Sequence, residues 1–110
     1  AGVFKRVANI IRKANTSKLP PVDPELFEDS AEKALFKACN TVAKRVESGL
    51  KRRNYDGVLK EIATLKKPVD QFFDDVMVMV KVAQVRDNRL ALLVAVESLF
   101  GQVADFTLIN

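Results

Sequence analysis

Ala31, Leu35, Ala38, Cys39, Val42, Val46 and Leu50 recur at helical spacing, so a helix over this stretch gathers all of them on one face. A strand would scatter them over two faces, because its side chains alternate. Lys33, Lys37, Lys44 and Lys51 fall on the far side and read mainly as a solvated face. Asp29 or Ser30 can accept from the free N–H groups of the first turn, and Asp29 with Glu32 has the spacing of a capping box. Gly49 and the run Lys51-Arg52-Arg53 mark the C-terminal end, where positive charge complements the helix dipole. One face of one helix cannot bury itself, so the rest of the chain must cover the stripe.

The remaining sequence offers more helices and no strands. Val3, Val7, Ile10, Ile11 and Ala14 share a face, with Lys5, Arg6, Asn9, Arg12 and Lys13 opposite. From Asn15 to Glu25, Pro20, Pro21 and Pro24 forbid a helix and predict an extended connector. Asn54 can cap a third helix carrying Tyr55, Val58, Leu59, Ile62 and Leu65, with the Tyr55 ring in the core and its hydroxyl at the rim. Pro68 suits the first turn of a short fourth helix bearing Val69, Phe72 and Phe73. The run Val76-Met77-Val78-Met79-Val80 is compatible with a buried helical turn or an extended segment. The last helix, Ala83 to Ala104, is apolar almost all round, which makes it either central or covered by something outside this chain. These segments predict an all-α, antiparallel bundle of about five helices in a single domain, residues 1–110.

Composition narrows the chemistry. The 110 residues are 48% hydrophobic and 29% charged, as in folded globular chains. Eighteen Lys and Arg against fourteen Asp and Glu give a net charge of +4, which permits a polyanionic partner. The chain holds no histidine and one cysteine, Cys39, which excludes an internal disulfide, zinc-thiolate sites and Ser-His or Cys-His catalysis. Cys39 lies on the apolar stripe and reads as a small core residue. No run approaches the roughly twenty apolar residues of a membrane span. The chain opens on Ala1-Gly2 without Met, directly before a helical pattern, which reads as a fragment of a larger protein.

Four blocks then carry a resemblance: Phe4-Lys5-Arg6-Val7-Ala8-Asn9-Ile10-Ile11, Pro68 through Met79, Arg86-Asp87-Asn88-Arg89-Leu90-Ala91-Leu92-Leu93, and Val103-Ala104-Asp105-Phe106. In that order and spacing the chain closely resembles the DALR-type anticodon-binding domain at the C-terminus of the β subunit of bacterial-type glycyl-tRNA synthetase. The name-giving Asp-Ala-Leu-Arg tetrad falls on Ala83-Gln84-Val85-Arg86 and keeps only Arg86, and the family's acidic pair is replaced near Val80, Lys81 and Val82. The resemblance implies a domain that binds the anticodon region of glycine tRNA, within a cytoplasmic ligase of α and β subunits that uses ATP and Mg2+. It implies no cofactor in this domain, no membrane and no DNA partner, and aminoacylation elsewhere, in the α subunit. The arginyl-tRNA synthetase DALR domain and a non-catalytic helical protein-interaction module are the alternatives. A stand-alone enzyme is the weakest reading, since Asp74 and Asp75 are the sole candidate acid/base pair.

Candidate residues follow from chemistry. Lys5, Arg6, Asn9, Arg12 and Lys13 join phosphate-neutralising cations to an amide that donates and accepts, with Arg52 and Arg53 as a second patch beside Lys51. Asp74 and Asp75 are expected to pair with Arg86 and Arg89 and fix the fourth helix to the last, and Asn88 to cap the last helix or bond a base edge. Phe72 and Phe73 suit base stacking, but an adjacent pair in an apolar run more often places at least one ring in the core.

Overall fold

The computed structural model describes the backbone of residues 2–109 and the side chains of residues 2–104. Asp105 and Phe106 of the last sequence block lie outside the described side chains. Five α-helices occur among the described residues: α1 (Gly2–Lys13), α2 (Ser30–Lys51), α3 (Tyr55–Ala63), α4 (Lys66–Asp75) and α5 (Ala83–Ile109). A 3-10 turn, Pro24–Leu26, interrupts the α1–α2 connector, with Asp23 as its cap. The bundle measures 43 × 25 × 24 Å.

Local chemistry sets the boundaries. The capping box at the start of α2 forms in full: Asp29 accepts from the Ala31 N–H at 2.8 Å, and Glu32 Oε1 accepts from the Asp29 N–H at 3.0 Å and the Glu28 N–H at 2.9 Å. At the far end of α2 the Arg53 N–H donates to the Leu50 carbonyl and the Asn54 N–H to the Gly49 carbonyl. This is the Schellman pattern, with Arg53 at φ 56° where glycine is usual. Asn54 then caps α3, its Oδ1 accepting from the Gly57 N–H at 3.2 Å. Pro68 lies in the first turn of α4, as expected, and Leu65 sits buried at the α3–α4 junction rather than inside α3. The expected face of α3 is only half right. Val58 and Ile62 are buried, but Tyr55 and Leu59 are 36% and 46% exposed, because so short a helix packs on one side only.

After α4 the backbone turns extended, with Val76 at φ −124°, ψ 127°. Val76 and Val78 are buried, whereas Met77 and Met79 are 73% and 53% exposed, the alternation of an extended strand-like segment. That settles the ambiguous run against a helical turn. The core joins Val3, Val7 and Ile11 of α1 to Leu35, Val42 and Val46 of α2, Phe72 of α4 and Leu90, Leu92, Leu93 and Val96 of α5. Burial of Leu90 through Leu93 in sequence makes the first half of α5 central. α1 packs mainly on α5 and α4, while α2 packs on α3, α4 and α5. No described helix is long and apolar enough to cross a membrane.

Candidate nucleic-acid interface

Burial of Val3, Val7 and Ile11 orients α1, and helical periodicity then turns its cations outward. Lys5, Arg6, Arg12 and Lys13 are exposed and Asn9 is half-buried. Arg12 Nη2 donates to Asn9 Oδ1 at 2.8 Å, one turn back. The guanidinium of Arg6 lies over the Phe73 ring, 4.3 Å from its centroid. Among the described residues, none of Lys5, Arg6 or Lys13 has a carboxylate partner. α1 contains four cations and no acid, and this equals the chain's whole net charge of +4, so everything outside α1 balances to zero.

The second patch is differently placed. Arg52 Nη2 donates to Ser48 Oγ at 2.9 Å, and Arg53 occupies the turn after α2. Between them and α3 lies a small cleft lined by Arg45, Ser48, Asn54 and Glu61, with Arg45 Nη1 and Glu61 Oε2 3.4 Å apart. The lysine row of α2 is exposed, and Lys37 and Lys44 flank a shallow groove with Phe36 and Asn40. Lys51 is matched by Glu47 at 3.2 Å. These cations sit on α2 and the turn after it, a different element from the α1 cations.

The expected Asp74/Asp75 pairing with Arg86 and Arg89 does not form. Asp75 accepts from Gln71 Nε2 one turn back, at 2.6 Å, and Asp74 is exposed. Arg86 reaches its neighbour Asp87, 3.4 Å away. Arg89 is only 6% exposed and points into the bundle: Nη1 donates to the Met77 carbonyl at 2.7 Å, and Nη2 to Glu28 Oε1 and Glu32 Oε1 at 3.2 and 3.3 Å. Glu32, fully buried, therefore serves both the α2 cap and the α5 guanidinium. Asn88 neither caps α5, which begins five residues earlier at Ala83, nor faces solvent. It is 2% exposed and clamps the connector, its Oδ1 accepting from the Asp23 N–H at 2.7 Å and its Nδ2 donating to the Asp23 carbonyl at 3.0 Å.

Phe72 is fully buried, as expected of one ring of the pair, while Phe73 is half-buried and meets it edge-on at 5.9 Å. Arg6 on Phe73 brings together a candidate RNA-contacting cation of α1 and an aromatic of α4. Cys39 is buried, and loss of hydration pushes its thiol from 9.0 up to about 11, which removes it as a nucleophile at neutral pH. No cluster of acids and cysteine suited to a metal ion occurs among the described residues.

The sequence profile of the DALR anticodon binding domain matches residues 3–109. The glycine–tRNA ligase beta subunit of Desulforapulum autotrophicum is 47% identical over 104 residues, 94% of this chain and 15% of the relative. Those of Citrifermentans bemidjiense and Desulfatibacillum aliphaticivorans are each 48% identical, covering 97% and 100% of this chain and 15% and 16% of the relatives. The chain thus spans about 15% of the length of these curated relatives.

Proposed function

We propose that this chain, which belongs to the DALR anticodon-binding domain family, is the anticodon-binding domain of a glycine–tRNA ligase beta subunit and grips its RNA through the cationic face of α1. The observation that carries the choice of surface is the concentration of the entire net charge on α1, without an acid in that helix. Lys5, Arg12 and Lys13 neutralise phosphates of the anticodon arm, and Asn9, turned toward Arg12, holds that guanidinium in place. Arg52 and Arg53 offer a second, weaker contact at the C-terminal end of α2. The domain positions glycine tRNA, while aminoacylation with glycine, ATP and Mg2+ takes place elsewhere in a cytoplasmic assembly with the rest of the beta subunit and an alpha subunit. No catalytic step is assigned to these residues.

Anisotropy titration of the chain with glycine tRNA, an anticodon-swapped tRNA and an unrelated tRNA across a salt series tests this. The expected result is preference for the glycine anticodon. Lys5→Gln and Lys13→Gln should each flatten the log–log salt slope by roughly 0.7 to 0.9, the counterions released by one phosphate contact, while Lys37→Gln and Lys44→Gln leave it unchanged. The reverse pattern would move the interface to α2. Equal affinity for all three RNAs would favour a helical interaction module instead.

A further inference from the structure

From the geometry of one contact we infer that Arg6 and Phe73 form a stacking platform for an unpaired nucleobase of a bound RNA loop, the guanidinium presenting its outer face to the base. This rests on the α1 interface proposed above.

Arg6 differs from the cations that are ion-paired. Arg45, Lys51, Lys66, Arg86 and Arg89 all lie against carboxylates, while Arg6 is held instead by an aromatic face 4.3 Å away. A carboxylate would occupy the N–H donors of the guanidinium, whereas an aromatic face against it leaves those donors free, and Arg6 is exposed to solvent. The support is rigid. Phe73 meets the fully buried Phe72 edge-on, and α1 is anchored by buried Val3 and Val7 and by Phe4 against Phe100. A flexible arginine would lose side-chain freedom on stacking, and the contact with Phe73 restrains Arg6 beforehand, so less is lost when a base arrives. Guanidinium planes are established supports for splayed RNA bases, and stacking tolerates any base because each has a π-face. Lys5 and the Arg12–Asn9 pair come before and after Arg6 on the same helix and supply exposed cations for phosphates of the same loop.

The test uses an anticodon stem-loop RNA in which each loop nucleotide in turn is replaced by an abasic residue. Wild-type chain should lose roughly tenfold in affinity at one loop position, the usual worth of one stacked base. Arg6→Lys, which keeps the charge and abolishes the planar surface, should lose the same factor with the intact loop and become insensitive to that abasic site. Phe73→Leu should show the same non-additivity, and its folding is checked by circular dichroism. Arg6 is exposed, so the Arg6→Lys arm stands even if Phe73→Leu unfolds. Wild-type affinity and unchanged abasic penalties in Arg6→Lys would overturn the platform and leave Arg6 a phosphate contact. If Lys5→Gln and Lys13→Gln also failed to change the salt slope, the α1 interface itself would fall, a separate result.

Discussion

Replacing Arg89 by Met should cost this small domain a large part of its stability. The guanidinium is held by three acceptors from two segments, the extended run at Met77 and the start of α2, and Glu32 among them is wholly enclosed. Met preserves much of the apolar stem but leaves the Glu32 carboxylate buried with only the two cap N–H groups for company. Removing one member of a buried ion pair typically costs about 3–5 kcal/mol, against a total of about 5–15 kcal/mol for a domain. At about 4–5 °C per kcal/mol for a chain of this length, a loss near 4 kcal/mol lowers the melting temperature by about 15–20 °C. Glu32→Gln retains an oxygen for the Glu28 and Asp29 N–H groups and removes the charge. The pair is itself imperfect, since Glu32 Oε2 and Arg89 Nε are buried without a hydrogen-bond partner. The double variant should therefore recover about 1–3 kcal/mol relative to the sum of the singles. Thermal and urea unfolding followed by circular dichroism measure all four proteins. A cost below about 1 kcal/mol for Arg89→Met, or strict additivity in the double variant, would refute a buried, coupled pair.

Three further outcomes follow from local geometry. Gly49→Ala would normally favour a helix by up to about 1 kcal/mol, but its Cβ would stand 2.6 Å from Val58 Cγ2, and the stiff χ1 of valine in a helix cannot yield easily. We expect a net loss of about 1–2 kcal/mol in urea unfolding, reversed to a gain when Gly49→Ala is made on a Val58→Ala background. Arg53→Gly should stabilise the chain by about 0.5–1 kcal/mol by relieving the left-handed backbone at φ 56°, and a melting temperature at or below wild type would count against that strain. Burial holds the Cys39 thiol up at about 11, so its contribution to stability is whole below pH 9 and drains away as pH rises toward about 11. Stability curves of wild type and Cys39→Ala should converge over that interval by about 2–3 kcal/mol; parallel curves would mean the thiol is hydrated.

What the sequence made legible was whatever depends on neighbours along the chain. The Asp29–Glu32 cap, the Asn54 cap, the place of Pro68, and the outward turn of Lys5, Arg6, Arg12 and Lys13 all rest on one helix's periodicity or one turn's chemistry. Contacts spanning the chain were not legible. The sequence offers Asp74 and Asp75 as partners that would fix the fourth helix to the last, yet two of the groups that hold Arg89, Glu32 and Glu28, lie 57 and 61 residues away, at the start of α2. Asn88 likewise finds Asp23 at a separation of 65 residues, and no local pattern announces a side-chain amide paired with a distant peptide unit. Glu32 had been singled out, but only for its cap; that the same oxygen would also receive Arg89 depends on how α5 crosses the end of α2. Tyr55 and Leu59 were misjudged because periodicity identifies a face without saying how much of it another helix covers.

The block Arg86 through Arg89 shows why cation count alone misdirects a search for an RNA surface. Two guanidiniums and an amide in four residues look like a binding cluster, yet Arg86 lies against Asp87, Asn88 clamps the connector and Arg89 is locked inside the bundle. Their work is to fix the α1–α2 connector, the start of α2 and the extended run around Met77 onto α5, the helix at the centre of the core. α1 docks on that same helix and brings in no acid of its own, so its cations meet no local competitor for an incoming phosphate. The criterion that separates the two sets is commitment: a cation whose donors already lie on carboxylates and carbonyls must break those bonds to bind RNA, at a cost that offsets the new contact. By that measure Arg6 is uncommitted, because an aromatic face holds it without neutralising it.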